Sequence, residues 1–250
     1  MSESLDHLSV VIPCYHQARF VRGLTLQLLT ELSDPPEIII IDDESTQDDP
    51  ASEVKDLPVR VIRNSQRQGV SGARNTGLSH ATREFVCFID ADDRIQPGAL
   101  SKACGVLRRT LGESAICGLV AGFIDSEGQA IFPQGGEGIL ECPEISHLTY
   151  SYFQQGGRIM PNVGRFVFRR EFFETVGGFS PNLEQAEDWD LILRWVKQSP
   201  ILFFPVPMNF YRIHSYNGTV RLRDGRIEAD PKTIALGKLV RSSHQVIDSF

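Results

Sequence analysis

Three short apolar runs constrain this chain more than any other feature: Leu8-Ser-Val-Val-Ile-Pro13, Glu37-Ile-Ile-Ile-Ile41 and Phe85-Val-Cys-Phe-Ile89. Each is nearly continuous in apolar residues, where a half-solvated strand would alternate, so each reads as a strand buried on both faces of a sheet. Val59–Ile62 reads as a further strand. Helical patterns separate them. Val21, Leu24, Leu28 and Leu32 share one side of a helix that Pro35-Pro36 ends. Val70–Ala81 is a helix of small residues entered through Gly69, and Pro97–Leu111 carries Leu100, Cys104, Leu107 and Leu111 on its apolar face. Alternation of this kind over about the first hundred residues predicts an α/β domain with a mostly parallel sheet.

In such sheets ligands sit beyond the carboxyl ends of the strands. Three runs end at polar groups: Tyr15-His16 after the first, Asp42-Asp43 after the second, and Asp90, Asp92 and Asp93 after the third of the long runs. Three carboxylates within four residues repel one another unless something offsets their charge. A divalent cation would do so, because hard oxygen ligands suit Mg²⁺ or Mn²⁺. An exposed acidic turn, with Asp92 or Asp93 capping the next helix, is the other reading of these residues alone.

The second half is less regular. Strands are expected at Ile116–Ile124, Asn162–Arg169, Ile201–Phe204 and Met208–Ile213. Helices are expected at Pro143–Gln155, Glu171–Val176 and Glu187–Lys197, the last burying Trp189, Ile192, Leu193 and Val196. The glycine-rich stretch Gln134–Gly138 lacks the spacing and the lysine of a phosphate-binding loop and reads as a mobile segment. From about Arg221 the tail is polar and then weakly helical. Neither repeats nor a linker divide the chain, so one domain over 1–250 is expected.

Composition narrows the function. A net charge of −7 argues against a nucleic-acid partner. It also means that an anionic ligand must be drawn in by local cations or a metal. The five cysteines, Cys14, Cys87, Cys104, Cys117 and Cys142, are scattered with no C-x-x-C pair, which fits small core residues in a reducing cytoplasm. The polar, acidic start is unlike a signal peptide, and no apolar run reaches membrane-spanning length, so no encoded membrane anchor is expected.

Val10-Val-Ile-Pro-Cys-Tyr15, Ile41-Asp-Asp-Glu-Ser-Thr46, the stretch from Asn64 through Gly69-Val-Ser-Gly-Ala-Arg-Asn-Thr-Gly77, and Ile89-Asp-Ala-Asp-Asp93 occur in that order. Together they resemble the nucleotide-sugar half of the family 2 glycosyltransferases. Phe168–Phe179, Glu187-Asp-Trp-Asp-Leu191 and Tyr211-Arg-Ile-His214 resemble that family's acceptor-side signatures. The likeness covers about residues 8–214. It departs at His16, where the family commonly has Asn. The resemblance implies a GT-A fold: a Rossmann-like sheet flanked by helices, with a nucleotide-sugar half over about 8–110, an elaborated acceptor-side half over about 111–220 and a tail over 221–250.

The resemblance also implies roles. Pro13, Tyr15, Asp43, Arg74 and Asp90 would bind the donor nucleotide. Asp43 would read the base as an acceptor-only carboxylate, Arg74 would contact phosphate, and Asp90 would lie near the ribose. Asp92 would hold Mn²⁺ or Mg²⁺, with Asp93 and His214 as further ligands. Asp188, beside Glu187, would be the base that deprotonates an acceptor hydroxyl. Its place at a helix N-terminus favours the ionised form and makes it a weaker base. The implied reaction is inverting transfer from a UDP-sugar to a glycan, lipid-linked sugar or small-molecule acceptor. The implied setting is the cytoplasm, peripheral to the inner face of the membrane through a partner. A sugar-nucleotidyltransferase would use a related sheet, but it would show a basic, glycine-rich loop where Pro13-Cys-Tyr-His16 stands. A non-catalytic homologue would lack a metal carboxylate or the base, and this chain has both.

Overall fold

The computed structural model describes residues 5–30, 34–131, 146–154 and 162–214, the backbone of 220–223 and 226–229, and residues 238–239. The first half alternates as expected: β1 (Leu8–Cys14), α1 (Ala18–Thr30), β2 (Glu37–Asp42), the short α2 (Pro50–Glu53), β3 (Arg60–Arg63), α3 (Gly69–His80), β4 (Phe85–Phe88), the two-residue β5 (Arg94–Ile95) and α4 (Ala99–Arg109). The second half adds β6 (Ala115–Ile124), β7 (Ala130–Ile131), β8 (His147–Leu148), α5 (Tyr150–Gln154), β9 (Phe166–Arg169), α6 (Phe173–Val176), α7 (Glu187–Gln198) and β10 (Ile201–Arg212). In the tail, β11 (Val220–Arg223) and β12 (Arg226–Ala229) pair antiparallel.

One sheet runs in the order β3-β2-β1-β4-β9-β6-β10-β5. The β3-β2-β1-β4 portion is parallel throughout, β10 is parallel to β6, and β9 is wedged antiparallel between β4 and β6. The chain moves outward from β1 to β3 and then returns to β4 on the other side of β1. Strand order therefore reverses between β1 and β4, and a crevice opens at the carboxyl ends of such a pair. The residues after β1 and β4 are the Tyr15-His16 and Asp90–Asp93 segments.

The continuous apolar runs are buried on both faces as their pattern requires. Val11, Ile39, Ile41, Val86 and Phe88 face one core layer, with Phe168, Phe179 and Trp195. Val10, Ile12, Ile38, Ile40, Phe85 and Cys87 face the other, with Val21, Leu24 and Leu28 of α1. Alternate residues of each strand thus serve opposite layers. The small residues of α3 bring it down onto the sheet. A side chain at Gly77 would overlap Val11.

Several expectations are corrected. Ile201–Phe204 and Met208–Ile213 are one strand, β10, whose register shifts between Phe203 and Phe210. Pro205 and Pro207 cannot donate to a ladder, and they made the run look like two strands. Asn162–Arg169 opens with a 3-10 turn (Val163–Arg165) before β9. Within the expected helix 143–155, residues 147–148 form β8, and only Tyr150–Gln154 is helical. Leu111 lies beyond α4 and is 92% exposed. On α7 the deepest aromatic is Trp195, fully buried, whereas Trp189 is half-buried. Leu32, Cys142 and the stretch 134–138 lie outside the described residues. The other four cysteines are buried. Among the described residues no helix is long and apolar enough to cross a membrane.

Candidate active site

The segment after β1 turns sharply, with His16 in the left-handed region at φ 54°. Thr46 N–H donates to His16 Nε2 at 3.1 Å, and His16 N–H donates to Ser45 Oγ at 3.0 Å, so the ends of β1 and β2 are laced together. The Tyr15 ring is stacked on His16 at 4.0 Å, and the Arg67 guanidinium lies 4.2 Å from its centroid. Two flat groups that close to one ring must occupy its opposite faces. Pro13 is buried inside β1, paired with Ile41.

Asp43 is 2% exposed and held by three donors of the chain. Its Oδ1 accepts from Asn64 Nδ2 and Gln68 N–H, both at 2.9 Å, and its Oδ2 accepts from Gly69 N–H at 2.8 Å. The carboxylate therefore gathers the loop that enters α3. A carboxylate offers about four acceptor positions, and one on Oδ2 is left by these three donors.

The Asp90–Asp93 residues part company. Asp90 is the most open, with a side chain 34% exposed. Asp92 points the other way, where its Oδ2 lies 2.7 Å from Nε2 of His214 and 3.1 Å from Nε2 of Gln17. Asp93 is buried against β10. It accepts from Asn209 Nδ2 at 2.9 Å and from Arg212 N–H at 3.2 Å. Burial, with Asp92 and Asp90 beside it, raises the Asp93 pKa well above the usual carboxylate range. Asp93 thus ties the turn to β10 and is not turned toward His214. Arg212 completes this anchor, donating through Nε to Asp92 O at 2.6 Å and through Nη1 to Asp125 O and Ser126 O.

Arg74 lies at the centre of the other cluster. Its side chain is 3% exposed. Nη1 donates to Glu187 Oε1 at 2.9 Å and Asp188 Oδ1 at 3.0 Å, and Nη2 donates to Asp90 Oδ1 at 2.9 Å. Burial opposes the charge, but the carboxylates of Asp90, Asp188 and Glu187 outweigh it and raise the Arg74 pKa. The other oxygen of Asp188 accepts from Val163 N–H at 3.1 Å. Asp188 sits in the first turn of α7 beside Glu187. The helix end favours its ionised form, yet burial dominates. Against the pull of Arg74, and helped by Glu187 and Asp90, burial pushes the Asp188 pKa up to about 8. Burial thus opposes the helix-end effect that favours the ionised, more weakly basic form.

The fold brings Asp90, Arg74, Glu187 and Asp188 together at one end of the sheet, and Asp92 with His214 beside them. Sequence reading missed Gln17, Asn209, Arg212 and Asn75. Two carried a signal: Arg212 and His214 are two apart, so a strand puts both on one face, and Asn75 adjoins Arg74. Among the described residues no three His, Cys, Asp or Glu side chains surround a single point. Asp92 and His214 supply an oxygen and a nitrogen 2.7 Å apart, a partial set that fits Mn²⁺ or Mg²⁺ when a ligand supplies further oxygens.

The profile described as glycosyl transferase family 2 matches residues 9–177. The chain belongs to this family. Among its relatives is the GalNAc(5)-diNAcBac-PP-undecaprenol beta-1,3-glucosyltransferase of Campylobacter jejuni, 32% identical over 181 residues, covering 68% of this chain and 54% of that protein. The fold is that of S. aureus TarS 1-349 in complex with UDP-GlcNAc, with a TM-score of 0.65 at 19% identity over 84% of this chain and 59% of that one. It is also that of the mannosyltransferase PcManGT from Pyrobaculum calidifontis in complex with GDP-Man and Mn²⁺, with a TM-score of 0.59 at 22% identity over 96% and 62%. The chain thus spans less than two thirds of the length of each of these three proteins. A GT-A glycosyltransferase fold agrees with the resemblance read from the motifs.

Proposed function

We propose that this family 2 member transfers a sugar from a nucleotide-sugar donor, in our reading a UDP-sugar, to a hydroxyl acceptor with inversion. The observation that carries the reading is that Asp90 and Asp188, expected to serve donor and acceptor respectively, are held by the same Arg74 guanidinium. Donor and acceptor groups then meet in one crevice, as a single displacement demands.

Asp90, the most open carboxylate, binds the donor ribose. Tyr15, its ring faces covered by His16 and Arg67, offers only its ring edge and backbone to the base, and Asp43 presents its remaining acceptor position to a base N–H while holding the loop above. Asp92 and His214 would hold Mn²⁺ or Mg²⁺, and Asp93 sets the turn that presents Asp92. Bound there, the cation would neutralise charge on the diphosphate as it departs. Asp188 takes the proton of the acceptor hydroxyl. The acceptor oxygen then bonds to the anomeric carbon while the carbon–oxygen bond to the diphosphate breaks, and the nucleoside diphosphate leaves with the electron pair. A positioned base of this kind contributes about 10²–10⁴-fold in rate. A carboxyl near pKa 8 is far better matched to a hydroxyl proton than an ordinary aspartate. Burial, with help from Glu187 and Asp90, keeps that pKa high.

The relative from Campylobacter jejuni is named for an acceptor on undecaprenol diphosphate, which favours a lipid-linked sugar as acceptor and a site of action at the cytoplasmic membrane face. A thermal-shift panel of UDP-, GDP- and dTDP-sugars, each with and without Mn²⁺, tests the donor reading. Mn²⁺-dependent stabilisation by UDP-sugars supports it; stabilisation by none of the panel defeats it.

A further inference from the structure

We propose that Arg74 is a positioning residue for the acceptor-side base, holding the Asp188 carboxylate in a fixed direction and tying it to Asp90, and that it does not contact the donor phosphates. The inference rests on the reading of Asp188 as the base. It replaces the phosphate contact expected of Arg74 from sequence.

Access argues first. With 3% of its side chain exposed, Arg74 has no open face for a diphosphate, and the Phe179 ring lies 5.2 Å from its guanidinium. Its Nη1 hydrogens are spent on Glu187 and Asp188 and one Nη2 hydrogen on Asp90. Nε is buried without a partner among the described residues, so the guanidinium has been placed for its carboxylates at some cost to its own satisfaction.

The helix that carries Arg74 argues second. Residues 71, 74, 75 and 78 share one stripe of α3 at the i, i+3, i+4, i+7 spacing. The first three meet the second half of the chain. Ser71 Oγ donates to Leu183 O at 3.4 Å. Asn75 exchanges two hydrogen bonds of 2.8 Å with the backbone of Phe179, and Leu78 packs against the core layer of α7. A side chain at Gly178 would strike Asn75. The stripe is a clamp on the 178–188 segment, and Arg74 is the member of the clamp that reaches the base.

Charge argues third. The groups facing Asp188 are Arg74 from α3, Asp90 from the turn after β4, Glu187 on its own helix, and the Val163 N–H from the 3-10 turn before β9. Among the described residues, one cation stands among three carboxylates. Both Asp188 oxygens are fixed, one by Arg74 and one by Val163. Without the guanidinium, Asp188 would lose its orientation and the one counter-ion that the described residues give it. Lysine would restore the charge as a point and could not fork between Asp90 and Asp188.

The test uses Arg74→Lys and Arg74→Gln, with melting temperatures to establish that each folds. UDP affinity is measured by calorimetry in Mn²⁺, and the Asp188 carboxyl is titrated by ¹³C NMR, its signal assigned with Asp188→Asn. The proposal expects UDP affinity within about threefold of the parent, with the Asp188 midpoint raised by about one pH unit or more in Arg74→Gln and by less in Arg74→Lys. A tenfold or greater loss of UDP affinity with an unmoved Asp188 midpoint overturns it. If Arg74→Gln does not fold, Arg74→Lys decides alone, and an unmoved midpoint there counts against the proposal. Retained sugar transfer by Asp188→Asn would instead defeat the base reading, a separate outcome.

Discussion

Nε2 of His214 lies 2.7 Å from Oδ2 of Asp92, although 122 residues separate them. The contact joins the turn after β4 to the segment that follows β10. Phe20 of α1 stacks on His214 with ring centroids 6.0 Å apart, and the Arg212 guanidinium lies over the same Phe20 ring. The imidazole is therefore held on two sides.

If this pair grips a cation, His214→Ala and Asp92→Ala should each abolish the extra stabilisation that Mn²⁺ adds to UDP binding. UDP alone should bind both variants no more weakly than it binds the metal-free parent. Thermal shift with and without chelator measures this. An undiminished Mn²⁺ effect in His214→Ala would remove the imidazole from the site.

The raised Asp188 pKa predicts how stability varies with pH. An aspartate near pKa 8 folded and near 3.8 unfolded binds a proton in the folded state that the unfolded state lacks, throughout that interval. Its contribution is thus fully present below about pH 4 and is lost as pH rises through about 8. Asp188→Asn carries no such proton. Its melting temperature relative to the parent should climb between pH 4 and 8 and level off above. A constant difference across that range would show that the carboxyl is ionised throughout.

Gly77 allows α3 to rest on β1. Gly77→Ala places a methyl group into Val11 and should destabilise the protein by about 1–3 kcal/mol, the usual cost of overpacking. Val11→Ala in the same chain should recover part of that loss. Urea denaturation of the two variants measures both effects.

Trp195 is fully buried among Phe168, Phe172 and Phe173, and its Nε1–H donates to Ser114 Oγ at 2.9 Å. Trp195→Ala should cost about 3–5 kcal/mol. Trp189→Ala, at a half-buried position, should cost distinctly less in the same denaturation experiment.

The first half was legible because β1, β2 and β4 are buried on both faces, so their apolar runs are continuous and end where the site begins. The motifs then identified the family. Local pattern failed where long-range contacts decide. Pro205 and Pro207 suggested two strands, but pairing with β6 carries one strand through both. Trp189 and Trp195 look alike in sequence, and only the packing of α7 against Phe168, Phe172 and Phe173 buries the second. Asp90, Asp92 and Asp93 look like one acidic cluster, yet the turn sends them to Arg74, His214 and Asn209 respectively. That sorting depends on partners more than a hundred residues away for two of the three. The raised Asp188 pKa has the same origin: a helix end is visible in sequence, and the burial that opposes its effect is not.

Turnover by Asp188→Asn tests the central claim most directly. With a UDP-sugar that stabilises the parent, and UDP release as the readout in the presence of Mn²⁺, the variant should bind UDP as the parent does and lose at least about 10²-fold in rate. Parent-like turnover at unchanged UDP affinity would contradict the assignment of Asp188 as the base.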